Sequence, residues 1–122
     1  METRPFGLWS SDLDPVELSR AKRLRDHACI ALWCGNNEDL GALDWFEVSR
    51  ENRDRYLVDY DRLTEGVLGR VVDECDPTRA YWPSSPCGGR GDYSDNWHDD
   101  SRGDMHYWQV WHSGKSFDSY YD

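Results

Sequence analysis

The chain has 122 residues and a formal net charge of −10, from 24 acidic and 14 basic side chains. This length suits one ordinary domain but falls well short of the roughly 250 residues of a closed (β/α)8 barrel. The acidic balance disfavours nucleic acid and anionic membrane surfaces as partners, since both repel a negative face. Seven Trp and seven Tyr are far too many rings for a disordered chain.

The start of the chain carries no targeting signal. Residues 1–4 are not followed by an apolar stretch, and no run approaches the roughly 18 apolar residues of a membrane span. We therefore expect a soluble chain with no membrane partner, and a cytoplasmic location if the protein natively begins at Met1.

A helix and a strand are predicted next. Asp14 can cap a helix whose first turn contains Pro15, and Glu17 completes the spacing of a capping box. This helix should run to about Arg25. The segment Cys29–Cys34 is continuously apolar, which is typical of a strand covered on both faces.

A second helix and a second strand follow. Apolar residues recur with helical spacing from Tyr56 to Cys75, and the pair Asp76 and Pro77 ends that helix. The segment Arg79–Pro83 then predicts a strand parallel to the first, joined to it by a right-handed crossover.

The C-terminal part predicts a long loop and a third strand. Ser84–Asp104 is rich in Gly, Asp and Ser, and loops of this length are usually functional or disordered. Its acidic residues lack the EF-hand spacing, so a solvated loop is favoured over a calcium site. His106–His112 predicts a third strand that carries aromatic and imidazole side chains to its carboxyl end.

The cysteines and histidines predict no metal centre. Cys29 and Cys34 would point to opposite faces of one strand, so they cannot bridge each other. No spacing of Cys and His matches a zinc ligand pattern. We expect structural or incidental thiols, and neither a metal nor another cofactor.

The most informative segment is residues 30–38, where the apolar strand ends in a polar tip with one carboxylate, Glu38. In parallel α/β architectures the carboxyl ends of strands are where chemistry is done, so Glu38 stands where a general acid would be placed. The alternative is an ordinary turn in which Glu38 only solvates the loop.

Three segments together resemble the β-mannosidases of glycoside hydrolase family 2: residues 30–38, 76–86 and 106–115. They occur in the family's order at similar separations, so the resemblance runs from about His27 to the end. It implies a retaining exo-glycosidase with a (β/α)8 catalytic barrel. Glu38 would be the general acid/base at the end of the fourth barrel strand, and Asn37 would bind the sugar hydroxyl next to the reacting carbon. Aromatic rings stack on sugars, and the candidates for the mannose subsite are Trp33, Trp82, Trp111 and His112.

The resemblance is to part of an enzyme. Retaining catalysis needs a second carboxylate roughly 5 Å from the first. In the family it lies on a later strand in a Ser-Glu motif, and none of the 24 acidic residues has that context. We therefore interpret residues 1–122 as an α/β fragment of a (β/α)8 TIM barrel, about three parallel strands with connecting helices, inactive in isolation.

Two functions from different classes remain open. The first is a fragment of a β-mannosidase that acts on a β-mannoside or a mannose-containing oligosaccharide. The second is a non-catalytic carbohydrate-binding or interaction module, in which the aromatic platform remains and Glu38 is idle. In either case an open sheet edge predicts self-association or pairing with a complementary barrel segment.

Overall fold

The computed structural model describes residues 15–94 and 99–121. Its helices and strands are short and follow one another in the order α1 (Pro15–Leu24), β1 (Leu32–Cys34), α2 (Asp39–Ala42), α3 (Glu47–Glu51), α4 (Arg53–Tyr60), a π-helical segment (Asp61–Leu68), α5 (Gly69–Cys75), β2 (Ala80–Trp82), α6 (Gln109–Ser113) and a 3₁₀ turn (Phe117–Tyr120). Helix α1 confirms the first predicted helix. Its predicted cap, Asp14, lies outside the described residues.

The two strands are parallel, as the sequence predicts. Leu32 pairs with Ala80, Trp33 with Tyr81 and Cys34 with Trp82. Parallel neighbours need a crossover, and here helices α2 to α5 provide it. The carboxyl ends of both strands therefore meet at one edge of the sheet.

The crossover ends in one continuous helical rod formed by α4, the π-helical segment and α5. The predicted helix from Tyr56 to Cys75 is therefore confirmed, with a start three residues earlier at Arg53. The rod packs on both of the apolar clusters. Ala21, Val71 and Cys75, with Leu18 beside them, join α1 to α5. The second cluster comprises Leu40, Leu43, Tyr60 and Cys87, with Leu57, Trp82 and Tyr93 packed against it.

Strand β1 is shorter and more exposed than predicted. It begins at Leu32 rather than Cys29, and the side chain of Leu32 is 52% exposed. The expectation of a strand covered on both faces is therefore wrong for the described residues. An apolar run indicates only that burial of its side chains is favourable. Whether they are buried depends on the neighbouring elements, and in the described chain β1 has one neighbouring strand, β2.

Arg79 holds the chain that leads into β1. Its guanidinium donates from Nε to the carbonyl of Ile30 at 2.9 Å and from Nη1 to the carbonyl of Arg25 at 2.6 Å. The same Nη1 lies 2.6 Å from Asp76 Oδ2. Backbone acceptors before β1 are thus satisfied by a side chain, which explains why this segment turns instead of extending the strand.

The predicted third strand, His106–His112, is wrong. Residues 106–108 are irregular, and the rest of the segment lies in helix α6 (Gln109–Ser113). The amide of His112 donates to the carbonyl of Trp108 at 2.8 Å. Gly114 follows with a left-handed φ of 69°, the conformation that ends helices. Aromatic residues favour strands only where a neighbouring strand supplies hydrogen bonds, and the described residues around this segment supply none.

No helix in the described part of the chain is long and apolar enough to cross a bilayer. All four cysteines are free, Cys29 and Cys34 at the surface and Cys75 and Cys87 in the interior. Among residues 15–94 and 99–121, no group of three or more potential ligands could hold a metal ion.

Candidate active site

The loops that follow β1 and β2 continue the parallel pairing beyond the strands. Gly35 donates its amide to the carbonyl of Trp82 at 2.8 Å. Farther along, the amide of Glu38 donates to the carbonyl of Ser85 at 2.8 Å, and Asn37 and Ser85 form an isolated parallel bridge. The two loops therefore form one rigid tip at the carboxyl edge of the sheet.

Asn36 ties this tip together from inside. Its amide nitrogen donates to the carbonyl of Pro83 at 3.1 Å and to Thr64 Oγ1 at 3.3 Å. Its amide oxygen accepts from the Ser84 hydroxyl and from the Asp39 amide. Four partners on one side chain leave Asn36 no freedom, and the loop geometry depends on it.

The π-helical segment provides the anchor for Asn36. Thr64 is buried within it, and its carbonyl also accepts a hydrogen bond from the Tyr81 hydroxyl at 2.7 Å. Burial is the main cause that raises the pKa of Tyr81, which therefore stays a neutral donor. A π-helical turn departs from the regular helical hydrogen bonding and often lies at a functional site.

Glu38 is held in an unusual backbone conformation. Its φ is 67°, and it is the one residue other than glycine with a positive φ in the described chain. The left-handed region costs a non-glycine residue on the order of 1 kcal/mol, and such strain persists where the surrounding structure over-determines it. Here the hydrogen bonds of the tip do so and hold Glu38 just beyond the end of β1.

The carboxylate of Glu38 meets an imidazole. His106 Nδ1 lies 2.8 Å from Glu38 Oε1, and both side chains are largely buried, at 22% and 19% exposure. The other ring nitrogen, Nε2, lies 2.9 Å from the hydroxyl oxygen of Ser85. His106 therefore connects Glu38, in the loop after β1, to Ser85, in the loop after β2.

Asp104 ends this chain of contacts. Its Oδ2 accepts from the Ser85 hydroxyl, and its Oδ1 accepts from Trp82 Nε1 at 2.7 Å and from the Cys87 amide at 3.0 Å. Burial raises the pKa of this carboxyl, but the donors Ser85, Cys87 and Trp82 and the nearby His106 together outweigh that effect and lower it. Asp104 is therefore an ionised acceptor at neutral pH.

An open depression of about 340 Å³ lies in front of Glu38 and is lined by Glu38, Trp45, Trp108 and His112. Trp108 and His112 lie one helical turn apart, and their rings meet edge to face at a centroid distance of 4.9 Å. Trp45 and Trp108 are about half exposed, at 48% and 45%. Aromatic walls around a single carboxylate suit a ligand with one apolar face and several hydroxyls.

The structure brings some of the predicted site residues together and separates others. Glu38 and His112 line the depression, and Asn37 directly precedes Glu38 with its side chain exposed. Trp33 instead donates from Nε1 to Asp76 Oδ2 at 2.9 Å, and Trp82 packs on the Leu40 cluster. Trp111 is 68% exposed and contacts Phe117. The sugar-binding roles of Asn37, Trp33, Trp82, Trp111 and His112 and the catalytic role of Glu38 all remain predictions.

Five residues of the site have no role predicted from the sequence: Ser85, Asp104, His106 and the aromatic wall residues Trp45 and Trp108. The position of Ser85 could have been predicted from the sequence. Two parallel strands end at the same edge of a sheet, so a residue just after the second strand lies beside the loop that follows the first. The signal for His106 was masked by its assignment to a strand.

These observations define a parallel α/β unit with a carboxylate and an imidazole at the carboxyl ends of its strands. No protein-family model matches the chain. It is 33% identical over 117 residues to Beta-mannosidase B of Aspergillus clavatus and 34% identical over 117 residues to Beta-mannosidase B of Thermothelomyces thermophilus. Each alignment covers 88% of this chain and 13% of the relative.

A solved structure agrees with these alignments. The chain resembles the β-D-mannosidase of Dictyoglomus thermophilum with a TM-score of 0.56 and 34% identity, over 88% of this chain and 13% of that one. The resemblance inferred from the three segments is confirmed, and the chain belongs with the β-mannosidases as a fragment. It spans 13% of the length of the relatives that it matches.

Proposed function

We propose that this chain is the part of a retaining exo-β-mannosidase that carries the general acid/base, Glu38. The observation that supports this most directly is the placement of a strained, largely buried carboxylate at the end of a parallel strand, facing an aromatic-walled depression. The kinship with β-mannosidases supports a terminal β-D-mannoside as the substrate class.

The proposed chemistry has two proton transfers at Glu38. A glycosidic oxygen is a poor leaving group, so the Glu38 carboxylic acid protonates it as the C–O bond breaks. A nucleophilic carboxylate holds the sugar as a glycosyl-enzyme. Glu38, now a carboxylate, then removes a proton from the water that releases the sugar. The free acid is thereby restored.

The second carboxylate must come from elsewhere in the enzyme. Within the described chain the depression is lined by one carboxylate, Glu38. We propose that this fragment forms part of a (β/α)8 barrel whose other strands contribute the nucleophile. The 122 residues alone should accordingly show no turnover of an aryl β-mannoside.

The decisive experiment is a leaving-group series in the enzyme that carries this fragment. For Glu38→Ala we expect a loss of about 10² to 10⁴ in rate with poor leaving groups and a much smaller loss with activated aryl mannosides, because only the former need a proton. External azide should restore part of the second step, which lacks its base. Glu51→Ala, a change at an exposed residue of α3, is the control. A uniform loss across all leaving groups without azide rescue would show that Glu38 is not the acid/base.

The aromatic wall also favours a second candidate, a carbohydrate-binding module without catalysis. Trp45, Trp108 and His112 offer a binding platform that needs no carboxylate. Calorimetry on the 122-residue chain tests this candidate. Binding of a mannose-containing oligosaccharide that is unchanged by Glu38→Gln, together with no rate effect of Glu38→Ala, would favour the binding module over the enzyme.

A further inference from the structure

We propose that His106 is a positioning residue that shares with Glu38 the proton used in acid catalysis, in a ring tautomer set by Ser85 and Asp104. The inference deepens the proposed function and rests on it for the role of the proton. The tautomer of the His106 ring is a property of the protein without substrate, so it can be measured without turnover.

Asp104 sets which atoms donate and which accept in the hydrogen bonds from Asp104 through Ser85 to His106. An ionised carboxylate can only accept, so the single hydroxyl proton of Ser85 is directed to Asp104 Oδ2. The Ser85 oxygen then has lone pairs but no proton for its other neighbour. His106 Nε2, at 2.9 Å, must therefore be the donor, and it carries a proton.

With this tautomer, the contact between His106 and Glu38 needs one further proton to be a hydrogen bond. With Nε2 protonated, the neutral ring has a bare lone pair on Nδ1, which lies 2.8 Å from Glu38 Oε1. Two lone pairs at that distance repel each other. The contact is favourable when one proton lies in it, either on Glu38 or on Nδ1.

Within residues 15–94 and 99–121, several titratable groups lie near this pair. Asp104 faces the ring through Ser85, and His112 on α6 lies across the depression. The thiols of Cys34 and Cys87 lie near Asp104, and burial is the main cause that raises the pKa of each, so both are neutral. Asp39 follows Glu38, and burial raises the pKa of its carboxyl.

The shared proton fits the two steps of the reaction. In the first, the O–H bond of Glu38 breaks and an O–H bond forms on the departing oxygen, which leaves the contact without its proton. In the second, the Glu38 carboxylate takes a proton from water, and the contact regains it. A bare contact is repulsive, and this repulsion drives Glu38 to act as a base.

The first test measures the tautomer of the neutral His106 ring in the 122-residue chain by ¹⁵N NMR at alkaline pH. We expect the proton on Nε2, although the Glu38 carboxylate would draw it to Nδ1. Ser85→Ala should move it to Nδ1, because Glu38 is then the stronger acceptor. Ser49→Ala removes a structural hydroxyl that donates to Ala42 and Phe46 and should leave the tautomer unchanged. A neutral ring whose single proton lies on Nδ1, with none on Nε2, in the unaltered chain would overturn the proposal.

The second test is kinetic and does not require the fragment to fold alone. In the enzyme, His106→Asn keeps an amide near Glu38 but cannot share a proton. We expect a loss in kcat/KM on the order of tenfold to a hundredfold, by analogy with the partners that orient metal ligands. The alkaline limb of the pH–rate profile should move to lower pH, because Glu38 then holds the proton without help. The exposed His27 serves as the control, as His27→Asn.

The two proposals can fail separately. If Glu38→Ala shows its leaving-group dependence while His106→Asn leaves the alkaline limb in place, His106 only fills space and this inference is wrong. If Glu38→Ala shows a uniform loss without azide rescue, the proposed function fails, and the tautomer measurement still decides how Ser85 and Asp104 set the ring.

Discussion

The tryptophans near the depression differ in where their rings lie. Trp45 and Trp108 line it beside Glu38, whereas Trp111 turns away towards Phe117. All three are exposed tryptophans in a chain rich in them, so composition does not distinguish them. The contacts of each ring do.

The structure therefore predicts different effects for two neighbouring tryptophans. Trp108→Ala in the enzyme should raise the KM for a β-mannoside about tenfold, the loss of one stacking ring in a partly exposed site. Trp111→Ala should change the KM little and is the matched comparison. Steady-state kinetics with one aryl mannoside measures both. An equal rise in KM for Trp111→Ala would favour the sequence-based assignment of Trp111 to the mannose subsite.

Gly35 shows how closely the backbone packs behind Glu38. A Cβ at this position would overlap the Pro83 carbonyl and the Tyr81 hydroxyl and would lie 2.9 Å from Thr64 Cγ2. We expect Gly35→Ala to lower the free energy of unfolding by about 1 to 3 kcal/mol. Gly66→Ala is the control, since its Cβ would meet only the Asp61 carbonyl at 3.4 Å. Alanine favours a helix, so this change should be neutral or stabilise by up to about 1 kcal/mol. Urea denaturation measures both.

At the scale of elements, Asp76 joins the end of the rod to both strands. Its carboxylate accepts from Trp33 Nε1 on β1 and from Arg79, which precedes β2. The hydrogen bond from Trp33 is the main cause that lowers the pKa of Asp76. Burial opposes it, and Arg79 and Thr78 lower the pKa further. Trp33 thus has a structural partner in Asp76, and it is not among the residues that line the depression.

This lowered pKa predicts a pH dependence of stability. The unfolded carboxyl titrates near 3.9. The stabilisation from ionised Asp76 is therefore fully present above that pH and is lost as the pH falls through the lower folded value. Asp76→Asn should reduce the difference in unfolding free energy between pH 7 and pH 3. Asp26→Asn, at a side chain that is 84% exposed, should leave it unchanged. An unaltered difference in Asp76→Asn would contradict this account.

At the scale of the whole molecule, much apolar surface remains uncovered. The two core clusters are small, while Leu32, Phe46, Trp111 and Phe117 are each more than half exposed. Both strands of the described sheet also have an open edge. Exposed edges and apolar surfaces favour pairing with another chain.

We therefore expect the 122-residue chain to self-associate or to bind a complementary segment of the barrel. Light scattering over a range of concentrations should show a mass above that of the 14.3 kDa monomer. Leu32→Lys on the exposed strand should shift the distribution towards the monomer, whereas Glu51→Lys should not. A compact monomer with cooperative unfolding would instead indicate that the chain closes its own fold.

The sequence by itself determined the two longest helical segments, the parallel pairing of the two strands and the position of the carboxylate. The periodicity from Tyr56 to Cys75 and the capping signals near Pro15 act over one or two turns, so they are legible without the fold. The parallel pairing of β1 and β2 follows from the helix between them. The placement of Glu38 just after β1 follows from the abrupt end of an apolar run.

Only the tertiary structure decided which side chains Glu38 meets and how the last segment folds. His106 lies 68 positions from Glu38, and their contact depends on the path of the whole loop after β2. His106–His112 carries rings that suit a strand, but a strand needs a neighbour to accept its hydrogen bonds, whereas a helix supplies its own. In the described chain that segment has no such neighbour, and so it forms α6 and places His112 beside Glu38.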